Sequence, residues 1–321
     1  MIKEYENKII NADCLDILKK LPDKSVDCIL TDPPYYKIVK NDWDNQWKDI
    51  YEFQAWVGEL GKEFNRVLKD NGSFYWFGDD KTIAYCQVEL DKYFRLLNSI
   101  VWRKSGLQTM KGAETVFRSY APITERCLFY DKGEDKTGLE MVKEIMPNPF
   151  ADYLKTEFER AGVTRKQIAE LFPSRTGGLT GCVSNWLNGD NVITQEQYLK
   201  IKEFLGVGFL AREYEELRRE YEELRRVWVN DKRAFDVLDF PVCTDEGRFH
   251  PTQKPLALIM YMLERSTKEG QVVLDCFSGS GTIAEACYKL GRKYICVDAC
   301  KEYCDKSEQR LSLVKMQGML F

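Results

Sequence analysis

Two short strings in this chain carry residue types able to work on a small polar group. The first is Asp32-Pro33-Pro34-Tyr35, which follows the apolar run VDCILT. Its prolines fix the backbone and remove two N–H donors. Carbonyl oxygens are thereby left free to accept, beside a carboxylate and an aromatic ring. Such a group suits an amino group attached to a flat base. That amine's lone pair is delocalised into the ring and is a poor nucleophile. If Asp32 and the Pro33 carbonyl accept its two hydrogens, the nitrogen becomes more tetrahedral and its lone pair turns outward, while Tyr35 stacks on the ring. A Pro-Pro turn with a capping aspartate is the plain alternative.

The second string is Asp275-Cys276-Phe277-Ser278-Gly279-Ser280-Gly281-Thr282, between the apolar run QVVLD and a helical pattern. Glycines there let the backbone turn sharply and approach a ligand closely. Asp298 ends the next strand-like run, KYICVD, where an acid can hold both hydroxyls of a ribose. The loop lacks the lysine of a phosphate-binding loop and the full spacing of a dinucleotide loop. An adenosine cofactor without a phosphate chain fits better. A strand-to-helix turn with no ligand is the alternative.

Taken together the two strings are more specific than either alone, and here the chain resembles the amino-group DNA methyltransferases. TDPPY resembles their catalytic motif and DCFSGSGT their cofactor loop, in the order of the family's beta group. The resemblance implies S-adenosylmethionine as cofactor, and Asp32, Pro33, Pro34 and Tyr35 as catalytic residues. It implies cofactor contacts from Asp32, Asp275, Phe277, Ser278, Gly279, Ser280, Gly281, Thr282 and Asp298. NADCLDIL is similar to a stretch lining the cofactor's adenine, which points to Asp13 and Cys14. HPTQKP is similar to a segment closing over the methionine end, which brings in His250, Thr252 and Lys254, the lysine near the cofactor carboxylate. His250, the only histidine, is expected to be structural and not a general base. VWRK resembles the segment beside a flipped base, so Trp102, Arg103 and Lys104, with Lys111 and Arg118, are expected near DNA, phosphate contact being the default. Aspartate in the first motif position goes mostly with adenine N6, serine with cytosine N4. The implied activity is adenine-N6 methylation of duplex DNA by base flipping and direct in-line transfer. Cytosine N4 is the alternative base. RNA or protein-amide methylation and a non-catalytic helix-turn-helix regulator are further alternatives.

The elements that must position these residues read as α/β. Residues 1–135 and 250–321 alternate strands and helices. Strands are expected at 25–31, 72–78, 96–102, 127–130, 271–277 and 293–298, and helices at 52–68, 255–266, 282–290 and 301–314. The fold expected is a Rossmann-like, mostly parallel sheet with helices on both faces, plus a helical insertion domain. The resemblance covers about 1–135 and 228–321, read as the catalytic domain. The helical insertion, 136–227, is expected to recognise the target. Within it 151–206 reads as helix-turn-helix-like, and the tandem REYEELR repeat as a heptad helix over 212–226. Its stripe of Tyr214, Leu217, Tyr221 and Leu224 is expected to pack on its own domain, two heptads being too few for a dimer zipper. This middle region is also similar to family members often encoded by phages.

Composition restricts the setting. The chain has 321 residues, 44% hydrophobic and 31% charged. No apolar run approaches the roughly 20 residues that span a bilayer, and no secretory signal is visible. The 11 cysteines, several inside apolar runs, suit reduced buried thiols in the cytoplasm. Cys296, Cys300 and Cys304 lack the further ligands a metal would need. A net charge of −4 is not that of a uniformly basic nucleic-acid protein. Double-stranded DNA is the expected partner, with a homodimer and a cognate restriction endonuclease left open.

Overall fold

The computed structural model of this chain describes residues 2–38, 40–105, 120, 122–133, 148–174, 178–229, 234–243 and 249–318. The chain divides into two compact units, Met1–Glu140 with Arg226–Phe321, and Met141–Arg225.

The first unit is built on one eight-stranded sheet. Its strands are β1 (Lys8–Asn11), β2 (Val26–Thr31), β3 (Leu68–Gly78), β4 (Arg95–Ser105), β5 (Thr124–Asp131), β6 (Val237–Pro241), β7 (Val272–Asp275) and β8 (Lys293–Asp298). Their order across the sheet is β1-β8-β7-β2-β3-β5-β4-β6. Both pairings of β5 are antiparallel and all others are parallel.

Side chains alternate between two cores, as the two-residue period of a strand requires. Val26, Ile29, Phe74, Trp76, Leu274 and Ile295 face one core with α1 (Cys14–Leu18), α2 (Ile50–Val67) and α3 (Ile83–Leu90). Cys28, Leu30, Tyr75, Phe77, Val273 and Cys296 face the other with α9 (Leu256–Ser266), α10 (Thr282–Lys289) and α11 (Lys301–Gly318). Helices on both faces explain why the central strands read as continuous apolar runs. The outermost strands, β1 and β6, carry no such run, and the sequence reading passed over them. An edge strand pairs on one side only, so Lys8, Asp239 and Pro241 are tolerated there.

The second unit holds α4 (Pro149–Ala161), α5 (Arg165–Ala169), α6 (Cys182–Leu187), α7 (Gln195–Leu205) and α8 (Tyr214–Leu224) around a core of its own that includes Phe150, Leu154, Ile168, Trp186, Tyr198 and Leu217. Thr164 with Gln167, and Thr194 with Gln197, form capping boxes that start α5 and α7. On α8, Leu217 is fully buried and Tyr214 and Tyr221 pack on the same core, whereas Leu224 is 41% exposed. Along its surface Arg218 pairs with Glu222 at 2.6 Å and Arg212 with Glu216 at 2.7 Å. Among the described residues no helix is long and apolar enough to cross a membrane.

Candidate active site

The two chemistry-bearing strings leave neighbouring strands. β2 and β7 pair in parallel, with Cys28 opposite Val273 and Ile29 opposite Leu274. Their carboxyl ends therefore open on the same side, where ligands of open parallel sheets bind. Thr31 stitches the ends together. Its hydroxyl donates to Asp275 Oδ1 at 3.0 Å and accepts from the Cys276 N–H at 3.2 Å. Above them lies a cleft of about 630 Å³ whose walls include Asp13, Cys14, Asp32, Pro33, Pro34, Tyr35, His250, Thr252, Phe277, Gly279 and Asp298. That volume is in the range of small-molecule sites.

The chain beyond Pro34 is held by a residue outside both strings. Tyr36 and Lys37 adopt positive φ of 67° and 60°, a strained conformation for side-chain-bearing residues. The buried Asp44 carboxylate accepts from the N–H groups of Tyr35 (2.7 Å), Tyr36 (2.9 Å) and Ile38 (2.6 Å). Charge-assisted bonds of this kind offset the strain. The loop so fixed lets the Tyr35 hydroxyl donate to Asp32 Oδ1.

Asp32 also meets a cation. Lys254 Nζ lies 2.6 Å from Asp32 Oδ2, 3.0 Å from the Tyr35 hydroxyl and 3.2 Å from Glu125 Oε2. Lys104 Nζ approaches the other Glu125 oxygen at 2.6 Å. Burial pushes the Asp32 carboxyl above the usual range, and the Lys254 charge opposes that rise without cancelling it. Burial acts the same way on Glu125, but there the Lys254 and Lys104 charges prevail and hold it below its usual value. Burial disfavours the Lys254 ammonium, yet the Asp32 and Glu125 charges raise its pKa.

On the other side of the cleft, Gly279 and Gly281 adopt positive φ of 47° and 68°. A Cβ on Gly281 would stand 2.7 Å from the Ser307 Cβ. Asp298 Oδ2 accepts from the Gly279 N–H at 2.7 Å and Oδ1 from the Cys300 N–H at 2.8 Å, so this carboxylate fastens the turn it faces. Burial raises its pKa. Burial also pushes the Asp275 carboxyl up to about 7. His250 packs edge-on to Tyr303, with centroids 4.5 Å apart, and lies 3.2 Å from the Thr252 hydroxyl. Asp13 caps α1 by accepting from the Leu15 N–H at 2.8 Å. Gln253 Oε1 is buried in the cleft wall with no hydrogen-bond partner among the described residues, an acceptor left over for a ligand.

The expected site residues fall into three groups. Asp13, Cys14, the four residues 32–35, His250, Thr252, Phe277, Gly279 and Asp298 line the main cleft. Lys254, Asp275, Ser278, Ser280 and Thr282 line a small adjoining pocket of about 30 Å³ that shares Asp32 and Gly279 with it, and Gly281 sits within the turn. Of the residues expected near DNA, Trp102 and Lys104 line the cleft, Trp102 being 2% exposed with its Nε1 donating to the Phe240 carbonyl at 2.8 Å. Arg103 is exposed and paired with Asp239. Lys111 and Arg118 lie outside the described residues. Lys254 faces Asp32, whereas the reading of HPTQKP placed it toward a cofactor carboxylate. Glu125, Asp44 and Thr31 were not anticipated as site residues. The sequence around Glu125, TERCLFY, contains no string that marks it out.

Residues 26–309 match the family described as DNA methylase. The chain is 28% identical over 311 residues to DNA adenine methyltransferase YhdJ of Escherichia coli (strain K12), covering 95% of this chain and 82% of that protein. It is 26% identical over 337 residues to Type II methyltransferase M2.DpnII of Streptococcus pneumoniae, covering 97% and 93%. Among solved structures, that of the M1.HpyAVI-SAM complex superposes with a TM-score of 0.53 at 20% identity, covering 94% of this chain and 98% of that one. The PvuII cytosine-N4-specific DNA methyltransferase superposes with a TM-score of 0.54 at 14% identity, covering 95% and 90%.

Proposed function

This chain belongs to the DNA methylase family, and from that membership we propose that it transfers a methyl group from S-adenosylmethionine to N6 of adenine in duplex DNA. The observation that carries the reading is the shared cleft, with the Asp32 carboxylate at the end of β2 and the glycine turn at the end of the adjacent β7. The names of the two relatives favour adenine.

The cleft fits the cofactor chemically. Asp298 and the turn at 279–281 would hold the ribose, Asp13 and Cys14 the adenine, and the segment 250–254 the methionine end. Its spare acceptor on Gln253 and the aromatic wall of Phe277 suit a polar, aromatic ligand. S-adenosylmethionine, when bound, supplies a sulfonium-activated methyl group. The chain's own residues prepare the amine. A target base cannot react within the stacked duplex and must be flipped out. Asp32 and the Pro33 carbonyl would accept the amine's hydrogens and orient its lone pair, and Asp32 would take up the amine proton released as the methyl–sulfur bond gives way to the new C–N bond and the thioether leaves. Trp102 and Tyr35 supply aromatic walls for the base. Positioning and exclusion of water, not a covalent enzyme intermediate, provide the acceleration.

Target choice we assign to residues 136–227, with the helix-turn-helix-like segment 151–206 set in a DNA groove. We read the protein as cytoplasmic. The decisive experiment is expression in a methylation-free host followed by sequencing that reports modified bases. N6-methyladenine at one sequence is expected. N4-methylcytosine would shift the assignment to the other base, and unmodified DNA, with methyl transfer to RNA or protein instead, would overturn it. Asp32→Ala should still bind S-adenosylmethionine but lose methylation by at least about a thousandfold; undiminished turnover would refute the role of Asp32.

A further inference from the structure

Four charged side chains from four places in the sequence meet at the base end of the cleft. Lys254 precedes α9, Asp32 follows β2, Glu125 lies on β5 and Lys104 on β4. Their side chains are 5%, 16%, 16% and 21% exposed. Lys254 stands between the two carboxylates, 2.6 Å from Asp32 and 3.2 Å from Glu125. Lys104 occupies the far oxygen of Glu125 at 2.6 Å and so fixes that carboxylate in place.

This arrangement poses a conflict for the reaction. One Asp32 oxygen accepts from Tyr35 and the other from Lys254. A carboxylate already neutralised by an ammonium is a weak acceptor for an incoming amine. Positive charge also grows on that amine as its new bond forms, and an ammonium beside it opposes the change. A buried ammonium cannot be left unpaired, however, so Lys254 can release Asp32 only if another anion takes it. Glu125 is that anion, already within 3.2 Å.

We propose that Lys254 is a counter-ion shared by two carboxylates, bound to Asp32 in the free protein and passed to Glu125 when a substrate amine takes its place, which makes Glu125 a positioning residue for methyl transfer. The proposal rests on the reading of Asp32 as the amine acceptor. The groups that face Asp32 are Tyr35 on its own loop, Lys254, Glu125 and Cys127 on β5, and Asp275 at the end of β7, with Lys104 behind Glu125. Burial and the Glu125 charge raise the Asp32 pKa, and the Lys254 charge lowers it.

The test is single-turnover methylation of genomic DNA from a methylation-free host, followed with labelled S-adenosylmethionine across pH. Glu125→Gln keeps the shape of the side chain but removes the charge that receives Lys254. Its plateau rate should fall by roughly tenfold or more, while the acid limb of its profile moves to lower pH, because Asp32 loses a like charge and keeps its cation. Lys254→Met should move the acid limb the other way, to higher pH, and Lys254→Arg should return it toward wild type. A Glu125→Gln plateau equal to wild type, or a limb displaced upward, overturns the proposal. Should Lys254→Met not fold, as judged by its affinity for S-adenosylmethionine, Glu125→Gln decides alone. Asp32→Asn separates the two levels: if it turns over like wild type, the amine-acceptor reading fails; if it is inactive while Glu125→Gln behaves as wild type, only the hand-over of Lys254 fails.

Discussion

Asp275 shows how one residue couples the site to stability. It is 1% exposed, and burial lifts its carboxyl to about 7, against about 3.9 in an unfolded chain. The folded form therefore binds the proton more tightly. This stability is fully present below about pH 4, declines as pH rises, and is lost above about 7, amounting to at most about 4 kcal/mol. Asp275→Asn keeps an acceptor for Thr31 and for the Phe277 N–H but cannot ionise. Thermal melts should show the variant gaining on wild type from about pH 4 to about 7 and holding that gain above it; a difference independent of pH would contradict the assignment. Gly281 is a second single-residue control. Alanine there would carry both a positive φ of 68° and a Cβ 2.7 Å from the Ser307 Cβ. Gly281→Ala should cost roughly 1–3 kcal/mol in denaturant unfolding and weaken S-adenosylmethionine binding in calorimetric titration. Both residues stand in DCFSGSGT, and the sequence marks them as candidates because a glycine turn needs a local sequence. Glu125 was not, because what matters about it is the distance to Lys254 and Lys104, and no local pattern encodes a meeting of three separate segments.

Elements differ in how plainly the sequence announces them. β2, β3, β7 and β8 are covered by helices on both faces, so their apolar runs were readable. β1 and β6 are edges and lack that signal. The direction of β5 was equally hidden, since a strand's residues look the same whichever way it runs, and its neighbours decide. In α8 the heptad stripe was visible, but its ends differ. Leu217 is fully buried in the core of the second unit and Leu224 is 41% exposed. Leu217→Ala should destabilise that unit by about 2–5 kcal/mol, and Leu224→Ala by less than about 0.5 kcal/mol. Segment-resolved hydrogen exchange of α4 and α8 would measure both; equal effects would mean that the stripe is not seated as described.

At the scale of the molecule, the eight strands among the described residues all belong to the unit made of Met1–Glu140 and Arg226–Phe321. That unit has its own two cores and the whole cleft. Replacing residues 141–225 by a short linker should leave S-adenosylmethionine affinity close to wild type. Affinity for the methylated site should fall by at least about 1.4 kcal/mol, a factor of ten. Calorimetry and a salt-controlled DNA-binding assay would test the two halves of this expectation, and unaltered site preference would remove target recognition from the insertion.

The sequence by itself determined the chemistry's ingredients: a Pro-Pro turn behind a carboxylate, a glycine turn before a helix, an acid closing the next strand, and the alternation that makes a mostly parallel sheet. Each is local, set by backbone freedom or by the periodicity of burial over a few residues. The tertiary structure alone decided that β2 and β7 lie side by side, that Asp44 fastens the loop after Pro34, and that Lys254 lies between Asp32 and Glu125. Those facts depend on strand order and on side chains converging from distant segments. Hydrogen bonds and ion pairs form only between groups within about 3–4 Å of each other in space, whatever the separation along the chain.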